Sequence, residues 1–224
     1  MSRRLFAVSA LAAALTGGCS FGAFQTAHTQ APATLSITPG VAQVFNRMDD
    51  EHGRSTITNV GAQLGGRFGL SQRVDVGLGS FLLSGVKADI KVNLLDRHRS
   101  LAIAPRLGAG YRWERSVGML EGGAIASYRL ADVFEPYLGL TFANHWIEPE
   151  PPPGPLPPNV AGRRGSGDGL LQLNLGFELL LSDHVAWLGE YSHWFPVNDD
   201  PGDFYAFVPS NIAGVAFRFG RVRP

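Results

Sequence analysis

The chain of 224 residues holds one cysteine, Cys19. A single thiol excludes a disulfide framework within one copy and a zinc cluster built on cysteines. Charge is also scarce. Asp, Glu, Lys and Arg together make up 17 %, against about 25 % in ordinary soluble domains. Neither sign is in excess, with 19 residues of each, so no basic field gathers nucleic acid and no acidic tail is indicated. Helical periodicity is missing after the first twenty residues, and 45 % hydrophobic residues are too many for intrinsic disorder. What is abundant is glycine, 28 residues in all, well above the usual share of about 7 %. The length fits one domain plus a leader.

The leader is residues 1–18. Arg3 and Arg4 precede an eleven-residue apolar run, Leu5 to Leu15, and small residues lead to Cys19. Eleven helical residues span about 16 Å, half a bilayer core, so the run reads as a cleaved export signal and not as an anchor. Its removal leaves 17 basic and 19 acidic residues, a formal charge of −2. Residues 19–33 show no period and read as a tether.

From Thr34 the period is two. Val86, Ala88, Ile90, Val92 and Leu94 share one face, and Lys87, Asp89, Lys91 and Asn93 the other. The same sorting recurs in 59–68, 101–113 and 171–181. Less regular runs fill 34–46, 73–83, 117–130, 134–146, 185–195 and 210–220, making ten expected strands; eight remain possible if 73–83 and 85–95 form one broken meander. Most are 10 to 14 residues long, where soluble strands cluster near 5 or 6 and a tilted membrane-spanning strand needs about 9 to 11.

Short connections at 69–72, 96–99, 131–133 and 182–184 alternate with 47–54, 83–85, 114–116, 147–168 and 196–209. This is the asymmetry of an outer-membrane barrel whose short turns face the periplasm. The expected fold is therefore all-β: an antiparallel up-and-down transmembrane β-barrel over residues 34–220, followed by a tail, 221–224. The polar face should form a lumen plugged by side chains, with a charge network of Arg67, Asp75, Lys87, Asp89, Lys91, Arg106, Arg112, Glu121, Arg129, Glu178 and Glu190. Signs nearly balance there, as an enclosed face requires. Trp113, Trp146, Trp187, Trp194 and Phe219 are expected in aromatic girdles at the two headgroup levels.

GRFGLSQRVDVGLG, GVKADIKVNLL and LAIAPRLGAGYRW resemble the repeated hairpins of small bacterial outer-membrane β-barrel proteins, over roughly residues 34–220. The leader resembles that of a bacterial lipoprotein, in which cleavage precedes a lipidated cysteine, here Cys19. These resemblances imply an outer-membrane location, contact with membrane lipid and lipopolysaccharide, and a monomer without cofactor.

A soluble, lipid-tethered periplasmic barrel holding a hydrophobic ligand shares the same period. A lipid A-modifying barrel enzyme is the third reading, prompted by Glu190, Ser192 and His193. In a strand His193 points away from the other two, so the three cannot form a triad. No catalytic residue is assigned. His145 and His193 with Glu148 or Asp199 are a conceivable metal set, set aside in favour of polar filling, and no metal is expected. The loop 147–168 opens with seven prolines in twelve positions, a stiff polyproline arm suited to a surface partner. Wide aqueous channels appear at about sixteen strands, so ten strands argue against a porin.

Overall fold

The computed structural model describes residues 24–50, 53–81, 85–96, 98–113, 117–147, 168–197 and 211–220. The leader, Cys19, most of the proline-rich arm and the tail 221–224 lie outside the described residues.

Ten strands close into a barrel. They are β1 (Leu35–Asp50), β2 (Gly53–Gly69), β3 (Val74–Phe81), β4 (Gly85–Val92), β5 (Leu101–Arg112), β6 (Val117–Tyr128), β7 (Phe134–Ile147), β8 (Asp168–Ser182), β9 (Val185–Pro196) and β10 (Asn211–Gly220). Each pairs antiparallel with its chain neighbours, and β1 pairs with β10. Among the described residues no edge strand is left to recruit another chain.

The register fixes the tilt. Stepping across the pairs from Leu35 passes Phe68, Val76, Ile90, Leu107, Gly122, Phe142, Leu171 and Phe195. Continued through the β9–β10 and β10–β1 registers, this line returns to Arg47, a stagger of 47 − 35 = 12 residues. Ten strands with that stagger tilt by about 40° from the barrel axis.

Two departures from the sequence reading stand out. The expected loop at 47–54 is largely strand: β1 and β2 stay paired as far as Asp50 and Gly53. The sequence RMDD carries no apolar alternation, so the pattern of two ends before the strand does. Residues 24–33, read as a tether, are the larger departure. Residues 24–31 are buried inside the barrel, and the chain turns at 31–34 to enter β1. Thr34 N–H donates to the Ala31 carbonyl at 3.1 Å, and Ala33 N–H to the Gly69 carbonyl at 2.9 Å. The Ala31 carbonyl crosses Gly69 so closely that a Cβ there would lie 2.0 Å away.

The β6–β7 turn is equally specific. Ala131 (φ 48°) and Asp132 (φ 56°) are both left-handed, the mirror-image turn that suits twisted hairpins. Alanine is strained there, whereas asparagine tolerates the region. Ala131→Asn is expected to stabilise the folded barrel by about 0.5 to 1 kcal/mol, read as a raised urea midpoint.

Candidate functional site in the barrel lumen

Outside, the barrel is apolar. Leu35, Val41, Val60, Leu64, Val86, Ile90, Leu101, Leu138, Leu140, Leu175, Val215 and Phe217 are exposed, with Leu78 at 72 % and Leu107 at 67 %. Inside, the alternate positions carry the charge. Arg67, Asp75, Lys87, Lys91, Arg106, Glu121, Glu178 and Glu190 are buried, while Asp89, Arg112 and Arg129 are half-buried.

Most of these groups meet in ion pairs. Arg67 bridges Asp75 and Asp89, the latter at 2.8 Å. Lys87 contacts Glu121 at 2.5 Å, and Arg106 reaches the same carboxylate at 3.3 Å while donating to Thr141 Oγ1 at 3.1 Å. Arg218 pairs with Glu178 at 2.8 Å, and Arg129 lies 3.4 Å from Glu135. The sequence reading left Arg218 out of the network, although its alternation with Phe217 and Phe219 places it on the inner face.

Glycine on the intervening strand lets these side chains meet. Arg67 (β2), Gly77 (β3) and Asp89 (β4) lie in one register row, and a Cβ on Gly77 would sit 2.5 Å from the Arg67 guanidinium and 2.8 Å from the Asp89 carboxylate. Tyr137 (β7), Gly176 (β8) and Glu190 (β9) repeat the device. Tyr137 passes over Gly176 and donates its hydroxyl to Glu190 at 2.7 Å.

The segment 24–31 lies inside the lumen beside these groups. Phe24 N–H donates to Glu190 Oε2 (2.7 Å), Ala27 N–H to Ser127 Oγ (3.1 Å) and Gln30 N–H to Asp75 Oδ2 (2.9 Å). Lys91 Nζ donates to the carbonyls of Thr26 (2.7 Å) and His28 (2.8 Å). The His28 ring lies between Glu135 Oε1 (2.7 Å) and the Arg99 carbonyl (3.0 Å). Both ring nitrogens are thus engaged. The Phe24 ring covers Gly214 and joins Val44, Met119, Leu170, Trp194 and Ile212 in an apolar cluster toward the long-loop end. The pattern of two hid this segment because its bonds are mostly main-chain.

Trp113, Trp146 and Phe219 are exposed on the outer face. Trp187 is half-buried against Phe177, ring centroids 5.2 Å apart. Trp194 departs from the girdle expectation. It is buried and points inward, because it shares the strand face of Glu190 and Ser192. Its position near the strand end suggested a girdle, but alternation decides the side. His193 points outward and bonds Asn211 Oδ1 at 2.6 Å, while His145 packs inside against Trp194, centroids 6.2 Å apart. The two histidines therefore cannot share a metal. Among the described residues no group of three His, Cys, Asp or Glu is placed to hold one.

No protein-family model matches the chain, and no curated protein matches its sequence. Solved structures do. Neisserial surface protein A is 10 % identical with a TM-score of 0.39, over 83 % of this chain and 96 % of that one. Ail of Yersinia pestis is 10 % identical with a TM-score of 0.39, over 84 % and 99 %. OprG of Pseudomonas aeruginosa is 15 % identical with a TM-score of 0.36, over 88 % and 99 %.

Proposed function

We propose that the chain is a non-enzymatic bacterial outer-membrane β-barrel, exported by its leader, with a closed lumen and a structural or surface-interaction role. The observation that carries this reading is the inversion of the barrel wall. Buried charge lines the inside, and large apolar side chains face outward around the barrel. Water-soluble monomers rarely expose apolar patches beyond a few hundred Å², whereas an acyl-chain environment accepts such a belt without cost. A periplasmic carrier requires the reverse arrangement and a vacant apolar interior. Here the interior is filled by ion pairs and by residues 24–31. Against lipid A chemistry, Ser192 Oγ donates to Glu190 at 3.0 Å inside the lumen while His193 lies on the other face. Cys19 as a lipidated residue, and the proline-rich arm 147–168 as the contact for a surface partner, belong to the same proposal.

Two measurements test it. Membrane fractions should give a band whose SDS-gel mobility changes on boiling, and an extractable protein without that change defeats the proposal. In bilayers of brominated lipid, a variant retaining only Trp146 should be strongly quenched and one retaining only Trp194 weakly. Equal quenching would mean that the wall is not sorted into a lipid face and a lumen.

A further inference from the structure

The contacts of residues 24–31 are those of a peptide in a binding channel. The barrel reads their main chain at both N–H and carbonyl groups, from strands β3, β4, β6 and β9. Some side chains are engaged as well. Ala27 is fully buried, His28 is bracketed by Glu135 and the Arg99 carbonyl, Thr29 Oγ1 donates to the Gln72 carbonyl at 3.0 Å, and the Phe24 ring joins the apolar cluster. Gln25 and Gln30 are buried, yet among the described residues their side-chain oxygens find no hydrogen-bond partner. Beside Phe24 and Gln25 a cavity of about 60 Å³ remains against the β1–β4 wall, so the segment is not moulded to the lumen on that side. Pro32 and Ala33, where the segment leaves the short-turn end, are exposed.

We propose that the lumen occupied by residues 24–31 is a binding site for an extended peptide, read chiefly through its main chain with one small residue followed by a histidine, and that residues 24–31 are its exchangeable resident ligand. The proposal rests on the barrel reading. Lys91 and Asp75 recognise the main chain, and Glu135 with the Arg99 carbonyl recognises the imidazole. While joined to β1 the resident segment holds the site at an effective concentration of about millimolar or more. A second peptide therefore binds only once the resident is severed or withdrawn.

The test uses the full chain with a protease site inserted between Ala33 and Thr34, folded in detergent, cut, and offered a fluorescent peptide FQTAHTQAPA. Saturable binding, competed by unlabelled peptide, is expected. A peptide with Gln25→Ala and Gln30→Ala should bind within about threefold, and one with Ala27→Leu or His28→Gln at least tenfold more weakly. A severed segment that never exchanges, or a scrambled peptide that binds equally well, overturns the proposal. Boiling-dependent gel mobility is followed in the same samples: its loss indicts the barrel reading, whereas its retention without exchange indicts only the peptide site. Should the insertion prevent folding, a photoreactive residue at Gln25 of the uncut chain must cross-link to β1–β4, the wall around the cavity. Cross-links elsewhere, or none, also overturn it.

Discussion

Lys87→Glu is expected to cost the barrel at least about 3 kcal/mol, shown by a large fall in the urea midpoint and by loss of boiling-dependent mobility. Lys87 is buried and lies 2.5 Å from Glu121. Reversal sets an anion against that carboxylate in an enclosed space and brings a further negative charge toward Asp89. A buried pair adds little when compared with apolar packing, but breaking one partner leaves an uncompensated charge, and that is the expensive event. Arg73→Glu is the control. Arg73 is exposed at the end of the β2–β3 turn, so its reversal should move the midpoint by less than about 0.5 kcal/mol. Equal shifts would mean that the polar face is not enclosed. Reversing Glu121 as well should restore only part of the loss, because Arg106, 3.3 Å from Glu121, would then face a cation.

The ten strands were legible because a wall with two different sides writes a period of two along the chain. Val86 to Leu94 shows it most cleanly, and β4 follows with strict alternation. The lumen charges were legible on the same principle. What stayed hidden had no side-chain period. Residues 24–31 are held by amide and carbonyl groups that every residue carries, so FQTAHTQA looks like a linker although its main chain is bonded throughout the lumen. Trp194 was misjudged for a different reason. It stands near a strand end, where aromatics gather, but the alternation that ties it to Glu190 and Ser192 turns it inward. Glycine content hinted at crowding, but its use became visible only with the register, which shows Gly77 and Gly176 lying between the partners that reach over them.

That arrangement predicts the second large effect. Gly176→Ala is expected to destabilise the barrel by about 3 kcal/mol, as overpacking and a lost buried hydrogen bond combine. The added Cβ would lie 2.2 Å from Tyr137 Cζ and 2.7 Å from the Gly189 carbonyl oxygen. The ring must swing away, and Glu190 then loses the Tyr137 hydroxyl at 2.7 Å. Because Glu190 also accepts the Phe24 amide, disturbing it loosens the resident segment as well. Gly66→Ala supplies the comparison. There the nearest atom to an added Cβ is the Ser36 carbonyl oxygen at 3.6 Å, ordinary contact distance, so a change below about 1 kcal/mol is expected. A double-mutant cycle separates steric from polar loss. Tyr137→Phe alone should cost about 1 to 2 kcal/mol, but much less in the Gly176→Ala background, where its hydrogen bond is already gone. Additive costs would show that Tyr137 and Gly176 act independently, and the idea that glycine on one strand joins the side chains of its two neighbours would fail.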